Sequence, residues 1–441
     1  MKRIACIDGI ECLFSKEAAE HVLFLTTEKS VSAMFVREHF PQVQVCFLDA
    51  DKPLDLFSND EEVIRHTNIL DAMRANGSDE LFLSHRSSPF IESWARQNGI
   101  RLLQTAWSYQ ETFEEKLFFQ KFLERNGLPT PMTRILRKPE DASGVSVFPV
   151  VLQHPALLPP IEHTVVSNAQ ELEAYLAKFQ AYLPLLCRAF TEGMPLGVTL
   201  LIGRADTIVS ALRLQCFAPE PPLQEFLGVH WIPRCDVPAA MIRTIEDVLL
   251  RLANAMRTAG FRGVANVDLI ASDRSVVVLE CNPRMSSSTP ELAVQPELLH
   301  GLDFFAEFRR ALAGKRLGAN LTTVPDTVFR GSYIEFDYLI QRMPKGYKNV
   351  TIPPVGFYHW GNGTWKPTGR GAFSGKNEGL FYAALPATSP VSCLYNLAAL
   401  FTNFPLFDID GKGVPTMNSN GAELLQTIEC SILGAPSPHP A

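Results

Sequence analysis

Between Gly260 and Pro290 the chain reads Gly-Phe-Arg-Gly-Val-Ala-Asn-Val-Asp-Leu-Ile and then Ser-Val-Val-Val-Leu-Glu-Cys-Asn-Pro-Arg-Met-Ser-Ser-Ser-Thr-Pro, with a polar turn at Ala271–Ser275 between the two runs. Two β-branched runs around such a turn form an antiparallel hairpin, with Asp268 on the first strand and Glu280 ending the second. Residues two apart on an extended chain share a face, so Glu280 and Asn282 point the same way. Two carboxylates and one amide oxygen are hard donors that suit Mg²⁺ held partly by phosphates, with Mn²⁺ as the alternative ion. Arg284, beyond the stiff Pro283, offers a planar cation suited to a phosphoryl group or a carboxylate. The plainer alternative is a surface hairpin with an Asx-type turn at Asn282-Pro283.

Asn266-Val267-Asp268, Glu280-Cys281-Asn282-Pro283-Arg284 and the Ser286–Ser288 run together resemble the metal-binding signature of ATP-grasp ligases, in the version found in carbamoyl-phosphate synthetase. The resemblance implies that Asp268, Glu280 and Asn282 hold the metal and that Arg284 binds the transferring phosphate or acyl phosphate. Upstream, Glu111–Asn126 reads as one helix with apolar positions at 113, 117, 118, 122 and 123, closed by Gly127 and followed by Leu128-Pro129-Thr130-Pro131. It resembles the entry helix of the family, and Lys116 matches the lysine that contacts nucleotide phosphates there; a solvated helix lysine is the alternative. Phe148–Pro155 resembles the strand that ends in a second phosphate-binding lysine, but Gln153 stands at that position, and Ala156–Pro160 replaces the Gly-rich phosphate loop. Glutamine keeps hydrogen bonding without the charge that strengthens phosphate contacts; a protonated His154 would restore it. Pro184–Gly193 resembles the adenine hinge strand, with Arg188 where an acidic residue is expected and Phe190 as apolar wall for the ring.

The 441 residues suffice for two to four domains. A composition of 46% hydrophobic and 20% charged residues describes a packed soluble protein, and a net charge of −7 without a basic run gives no grounds for nucleic acid or an anionic membrane. No apolar run reaches the roughly 18 residues of a bilayer span. The N-terminus reads as a first strand rather than a signal peptide. Nine cysteines without a Cys-x-x-Cys pair point to reduced thiols in a cytoplasmic protein. Ten scattered histidines give no zinc spacing.

Three units are expected, in an α/β plus α+β fold. Residues 1–111 alternate strands (Arg3–Ile7, His21–Thr26, Val43–Leu48, Glu80–Ser84, Ile100–Leu103) with helices (Lys29–Phe40, Asp60–Ala75, Pro89–Asn98), which means a parallel, Rossmann-like sheet. It lacks a Gly-x-Gly-x-x-Gly turn for a dinucleotide. In Ser84–Pro89, Arg86 is a candidate for a substrate carboxylate, while Ser88 and Pro89 read as helix cap and first turn. Residues 112–315 form the two-lobed ATP-grasp unit (lobes 112–185 and 186–315), with a helix at Asn168–Gln180, strands at Leu196–Ile202 and Thr207–Leu214, a Pro-rich loop over the cleft at Pro219–Pro238 carrying His230, and helices at Ala239–Thr258, Glu291–Leu299 and Leu302–Ala313. Residues 316–441 read as a small α+β appendage completing the substrate pocket. It has strands at Gly331–Phe336 and Tyr347–Ile352, a hairpin turn at Asn362-Gly363, an anion candidate in Arg370 and a disordered tail at Ala435–Ala441.

The resemblance implies an ADP-forming carboxylate–amine ligase using ATP and Mg²⁺, closest in layout to the peptide ligases of natural-product pathways. Its partners would be small-molecule or peptide acids and amines, and a homodimer is compatible with it. Two alternatives stand: a decayed ATP-grasp scaffold that binds nucleotide, and an ATP-grasp carboxylase or kinase.

Overall fold

The structure, a computed structural model, describes residues 3–434 apart from 8, 28–29, 50–60, 62–63, 66–67, 84–85, 157–162, 218–225, 338, 341–342, 344–348, 384–387, 391–396 and 412. The N-terminal strands β1 (Arg3–Ile7), β2 (Val22–Thr26), β3 (Gln44–Phe47), β4 (Ser78–Phe82) and β5 (Arg101–Leu103) form one sheet in the order β3-β2-β1-β4-β5. Every pairing is parallel, as strand–helix alternation requires. Its helices are α1 (Val31–His39), α2 (Ile69–Ala75) and α3 (Pro89–Gln97). The strands β1 and β2 are buried along their apolar lengths, the mark of a sheet covered on both faces. Ser88 caps α3, its Oγ accepting the Ile91 N–H at 3.2 Å, with Pro89 in the first turn. The start expected for the second helix at Asp60 lies outside the described residues.

The single helix expected at Glu111–Asn126 is two helices, α4 (Trp107–Glu114) and α5 (Lys116–Arg125). Glu115 leaves the helical conformation, with φ −68° and ψ 113°, and its carboxylate accepts the Leu117 and Phe118 N–H groups at 3.2 and 2.5 Å. This N-cap restarts the helix and shifts its phase. Phe119 and Leu123 turn inward, while Phe118, expected inside, is 44% exposed. Gly127, with φ +61°, ends α5 as expected.

Strands β6 (Thr133–Leu136), β7 (Val150–Gln153), β8 (Thr164–Val166) and β9 (Leu185–Ala189) make an antiparallel sheet in the order β6-β9-β7-β8. Helix α6 (Ala169–Lys178), capped by Asn168, covers one face through Leu172 and Leu176 packed on Val150, Leu152, Leu185 and Cys187. Strand alternation sends Val151, Gln153 and Arg188 to the other face.

The third sheet holds the hairpin. It is built from β10 (Met194–Ile202), β11 (Thr207–Val209), β12 (Leu212–Phe217), β13 (Phe226–Ile232), β14 (Gly263–Ala271), β15 (Val276–Asn282), β16 (Ser332–Glu335), β18 (Gly356–Gly361), β19 (Thr364–Pro367), β20 (Glu378–Tyr382) and β22 (Ala399–Thr402), while β17 (Asn349–Thr351) and β21 (Thr388–Pro390) pair separately. The order is β15-β14-β10-β12-β13-β16-β22-β20-β18-β19, with β11 on β10. The strand expected at Thr207–Leu214 is thus divided at Ser210–Ala211, where Ser210 Oγ accepts the Thr199 N–H at 2.9 Å. The amphipathic helix α7 (Ala239–Thr258) buries Ile242, Ile245, Val248, Leu249, Leu252 and Met256 as expected. The helix expected at Glu291–Leu299 is α8 (Pro290–Val294) plus a 3-10 turn from Pro296, a proline that cannot continue the ladder. Helix α9 (Phe304–Leu312) follows.

The loop expected at Pro219–Pro238 is corrected: Phe226–Ile232 is a buried strand inside the sheet. Val229, His230, Trp231 and Ile232 are all buried, and His230 Nδ1 lies 3.1 Å from Ser332 Oγ. Burial holds its imidazole down to about 4. The prolines that suggested a loop flank a strand too apolar to be solvated. Beyond residue 316, β16, β18, β19, β20 and β22 extend this same sheet rather than forming a sheet of their own. At the seam Gly228 has φ +153°, and a Cβ there would stand 1.9 Å from Tyr333 O, so only glycine admits the approach. Asn362 and Gly363, both at positive φ, close the β18–β19 hairpin. Arg370 contacts Ser374 on its own loop and lies 3.8 Å from Oε1 of Glu378, the first residue of β20. The tail expected to be disordered lies outside the described residues. Among those described, no helix is long and apolar enough to cross a membrane.

Candidate active site

Cross-strand register sets the centre of the site. Asp268 pairs directly with Glu280 and Asn266 with Asn282, with a bulge after Asp268. Val267, Leu269, Val278 and Cys281 pack in the core with α7, so the strands turn their acidic residues toward the cleft. Lys116, the first residue of α5, brings Nζ to 3.7 Å from Glu280 Oε2. The break at Glu115 makes that approach possible, and the Lys116 N–H is held by Pro155 O at 3.1 Å.

Burial, and then the neighbouring Glu280, push the Asp268 carboxyl up to about 8. Burial works to raise Glu280 as well, but Lys116, the hydrogen bond with Asp268 and Arg188 outweigh it and hold that carboxyl below its ordinary value. Two facing carboxylates with no cation between them behave in this way, one keeping its charge and the other its proton. A divalent cation reverses the balance by favouring both charged forms. Among the described residues no group of three or more His, Cys, Asp or Glu side chains could hold a metal. The donors present are two carboxylates plus the amide of Asn282, a set that fits a hard cation sharing its coordination with phosphate oxygens.

Arg284 is fixed on three sides. Its Nε donates to Glu114 Oε1 at 2.5 Å, Nη1 to Met285 O at 3.0 Å and Nη2 to Asn282 Oδ1 at 3.3 Å. Glu114 Oε2 lies 2.8 Å from Arg86 Nη2, so one buried carboxylate joins the N-terminal sheet to the hairpin exit. Arg86, weighed above as a carboxylate binder, spends that nitrogen on Glu114, and Ser88 caps its helix in the same segment.

The nucleotide-side residues read from the sequence also come together. Gln153 Oε1 accepts from Arg188 Nη1 at 3.0 Å, and Arg188 also donates to Leu279 O at 3.1 Å, next to Glu280. Phe190, 44% exposed, follows the end of β9, its N–H donating to Pro149 O at 3.1 Å. His154, a source of charge only when protonated, is held toward its neutral form: burial and the nearby Lys116 lower its pKa, and its Nδ1 accepts the Ala156 N–H at 3.1 Å. Most of the Ala156–Pro160 stretch lies outside the described residues.

Sequence reasoning missed the floor of the site. Arg213 is buried on β12 and donates to Thr199 Oγ1 at 2.9 Å and Asn266 Oδ1 at 3.0 Å; Gln215 hydrogen-bonds Asp268. The signal was present, because Leu212-Arg213-Leu214-Gln215-Cys216 alternates polar and apolar residues with period two. Glu291 is fully buried, accepts from Trp231 Nε1 and is pushed up to about 8 by burial.

A pH dependence follows. Asp268 and Glu291 hold protons in the folded chain that the unfolded chain releases near pH 4. Their contribution to stability is therefore full below pH 4 and lost as pH rises through about 8. The melting temperature of the metal-free protein is expected to fall between pH 6 and pH 9, and added Mg²⁺ to flatten that fall by holding Asp268 ionised. A scan in chelator with and without Mg²⁺ measures it, and parallel curves would refute the assignment to Asp268.

Residues 113–288, which run from the end of α4, just before Lys116, to the serine run after Arg284, match the ATP-grasp domain family. That stretch, about two fifths of the chain, is similar to an ATP-grasp domain. The chain is 30% identical over 206 residues to the large chain of carbamoyl phosphate synthase from Thermus thermophilus, a match that takes in 44% of this chain and 19% of that one. The chain thus spans about a fifth of the length of those relatives. Its fold is similar to the biotin carboxylase domain dimer of Hydrogenobacter thermophilus 2-oxoglutarate carboxylase, solved with MgADP, ADP and bicarbonate (TM-score 0.62, 16% identity, 92% of this chain and 87% of that one). It is also similar to N5-carboxyaminoimidazole ribonucleotide synthetase from Thermus thermophilus (TM-score 0.54, 13% identity, 91% and 93%). The lobe boundary expected at 185/186 falls inside β9, which pairs within the β6–β9 sheet, and the hairpin-bearing sheet continues past residue 315; Arg188 of the first sheet reaches Leu279 O of the second at 3.1 Å.

Proposed function

We propose that this protein is an ATP-dependent, ADP-forming ligase that activates a carboxylate as an acyl phosphate and joins it to an amine. The observation that carries the reading is the Asp268–Glu280 pair, flanked by Asn282 and with Lys116 beside it. Asp268, Glu280 and Asn282 would hold Mg²⁺, which supplies charge neutralisation across the phosphates when bound. Lys116 would hold phosphate oxygens, and Arg284, locked by Glu114 and Asn282, would present a fixed cation to the transferring phosphoryl group. The substrate carboxylate attacks the γ-phosphorus, ADP departs, and the amine then displaces phosphate from the acyl carbon. No protein nucleophile is needed, because such transfer depends on positioning and charge. The floor of buried Arg213 and Glu291 with half-buried Gln215 would limit water and orient the acid.

Peptide ligation is the finer reading, and a carboxylase is the second, favoured by the likeness in fold to the biotin carboxylase domain. The test is Mg²⁺-dependent ADP release with pooled amino acids and short peptides, against bicarbonate. Release driven by the pool supports the ligase, and release driven by bicarbonate alone moves the assignment to carboxylation. Nucleotide binding without release under either condition supports a scaffold.

A further inference from the structure

The β6–β9 sheet turns two faces to two environments. Cys187, Leu152 and Leu185 pack on α6, while Arg188 and Gln153 alternate to the face opposite the hairpin. Arg188 is 3% exposed, yet only Nη1 is engaged among the described residues, by Gln153 Oε1 and Leu279 O. Its Nε and Nη2 are buried and find no acceptor among those residues. A guanidinium offers five donors in a rigid fork, and buried donors left unmade are unfavourable. The fork lies near Glu280, whose carboxylate also meets Lys116. Gln153 and Arg188 look like two separate losses along the chain, but the pairing of β7 with β9 makes them one contact.

We infer that Gln153 and Arg188 form a polyphosphate clamp, in which Arg188 binds phosphoryl oxygens of the nucleotide through its unpaired Nε and Nη2 edge while Gln153 is the positioning residue that holds the fork. The inference rests on the reading of the cleft as a nucleotide site and names the side chain that reads the phosphates there. The cation sits on β9 rather than at the end of β7. Burial lowers the Arg188 pKa while Glu280 opposes that shift, and arginine stays charged at neutral pH.

The experiment compares the melting-temperature rise and the calorimetric Kd for adenosine, AMP, MgADP and MgATP in the wild type, Arg188→Gln, Arg188→Lys and the double variant Gln153→Lys/Arg188→Gln. Wild-type affinity is expected to grow with the number of phosphates. Arg188→Gln is expected to weaken MgATP by about 10- to 100-fold, the span of one or two charge-assisted hydrogen bonds, while adenosine is nearly unchanged. Arg188→Lys keeps the charge but not the fork and falls between. The double variant, which returns a cation to the same face, is expected to recover part of the MgATP affinity. Equal weakening of adenosine and MgATP, or unchanged MgATP affinity in Arg188→Gln, overturns the clamp and leaves the nucleotide site standing. A wild type that binds none of the four ligands overturns the nucleotide site and the clamp with it.

Discussion

Glu280→Gln is expected to lower Mg²⁺-dependent ADP release by at least about 10²-fold, the usual cost of removing one preorganised charge from such a site, and to abolish the Mg²⁺-dependent rise in melting temperature. Glu280 sits opposite Asp268 and 3.7 Å from Lys116, so the substitution removes a proposed metal donor and the charge partner of Lys116 together. The backbone register that sets the hairpin makes no use of the side chain, so the far-ultraviolet spectrum and cooperative unfolding should persist. Turnover within tenfold of wild type would remove the metal role from this residue. Turnover lost along with cooperative unfolding would show the carboxylate to be structural.

Glu114→Gln carries the largest expected effect on stability. The Glu114 side chain is 3% exposed and compensates two guanidinium groups, Arg284 at 2.5 Å and Arg86 at 2.8 Å. Breaking a buried pair by removing one partner typically destabilises by about 3–5 kcal/mol, because the remaining charge is left uncompensated. Here two cations remain, and the upper part of that range is expected in denaturant unfolding. ADP release should fall as well, since Arg284 loses its anchor. Arg86→Gln in the Glu114→Gln background should recover part of the stability by removing one of the stranded charges. A loss under about 1 kcal/mol would mean that water or another group already compensates the pair.

How much of this could be read from the chain depended on whether the determining contacts were local. The hairpin is legible because its two β-branched runs, its turn and its acidic positions lie within one short stretch, and the structure pairs Asp268 with Glu280. The structure sets Lys116 Nζ 3.7 Å from Glu280 Oε2, yet the phase expected for the helix around it is not the one found. The break depends on whether Glu115 caps or continues, a choice that packing of Phe113 and Phe119 decides. Glu114 gave no signal at all: a glutamate in an amphipathic helix reads as solvated until its two arginines, one 28 residues earlier and one 170 later, are brought to it. Pro219–Pro238 was read from its prolines, although the apolar run between them was long enough for a central strand. Gln153 and Arg188 appeared as two departures because their contact spans β7 and β9, 35 residues apart.

The seam between β13 and β16 bears on how such a protein can diversify. Hydrogen bonding runs without interruption from the acidic hairpin to β22, with Gly228 pressed against the Tyr333 backbone at the join. The segment after residue 316 is therefore not a module that recombination could exchange as a cassette. Removing it would bare the edge of β13 and leave Leu227 and Val229 without cover, inviting pairing with other chains. Change in this segment would have to come by point substitution on β16, β20 and their loops, with the scaffold kept whole.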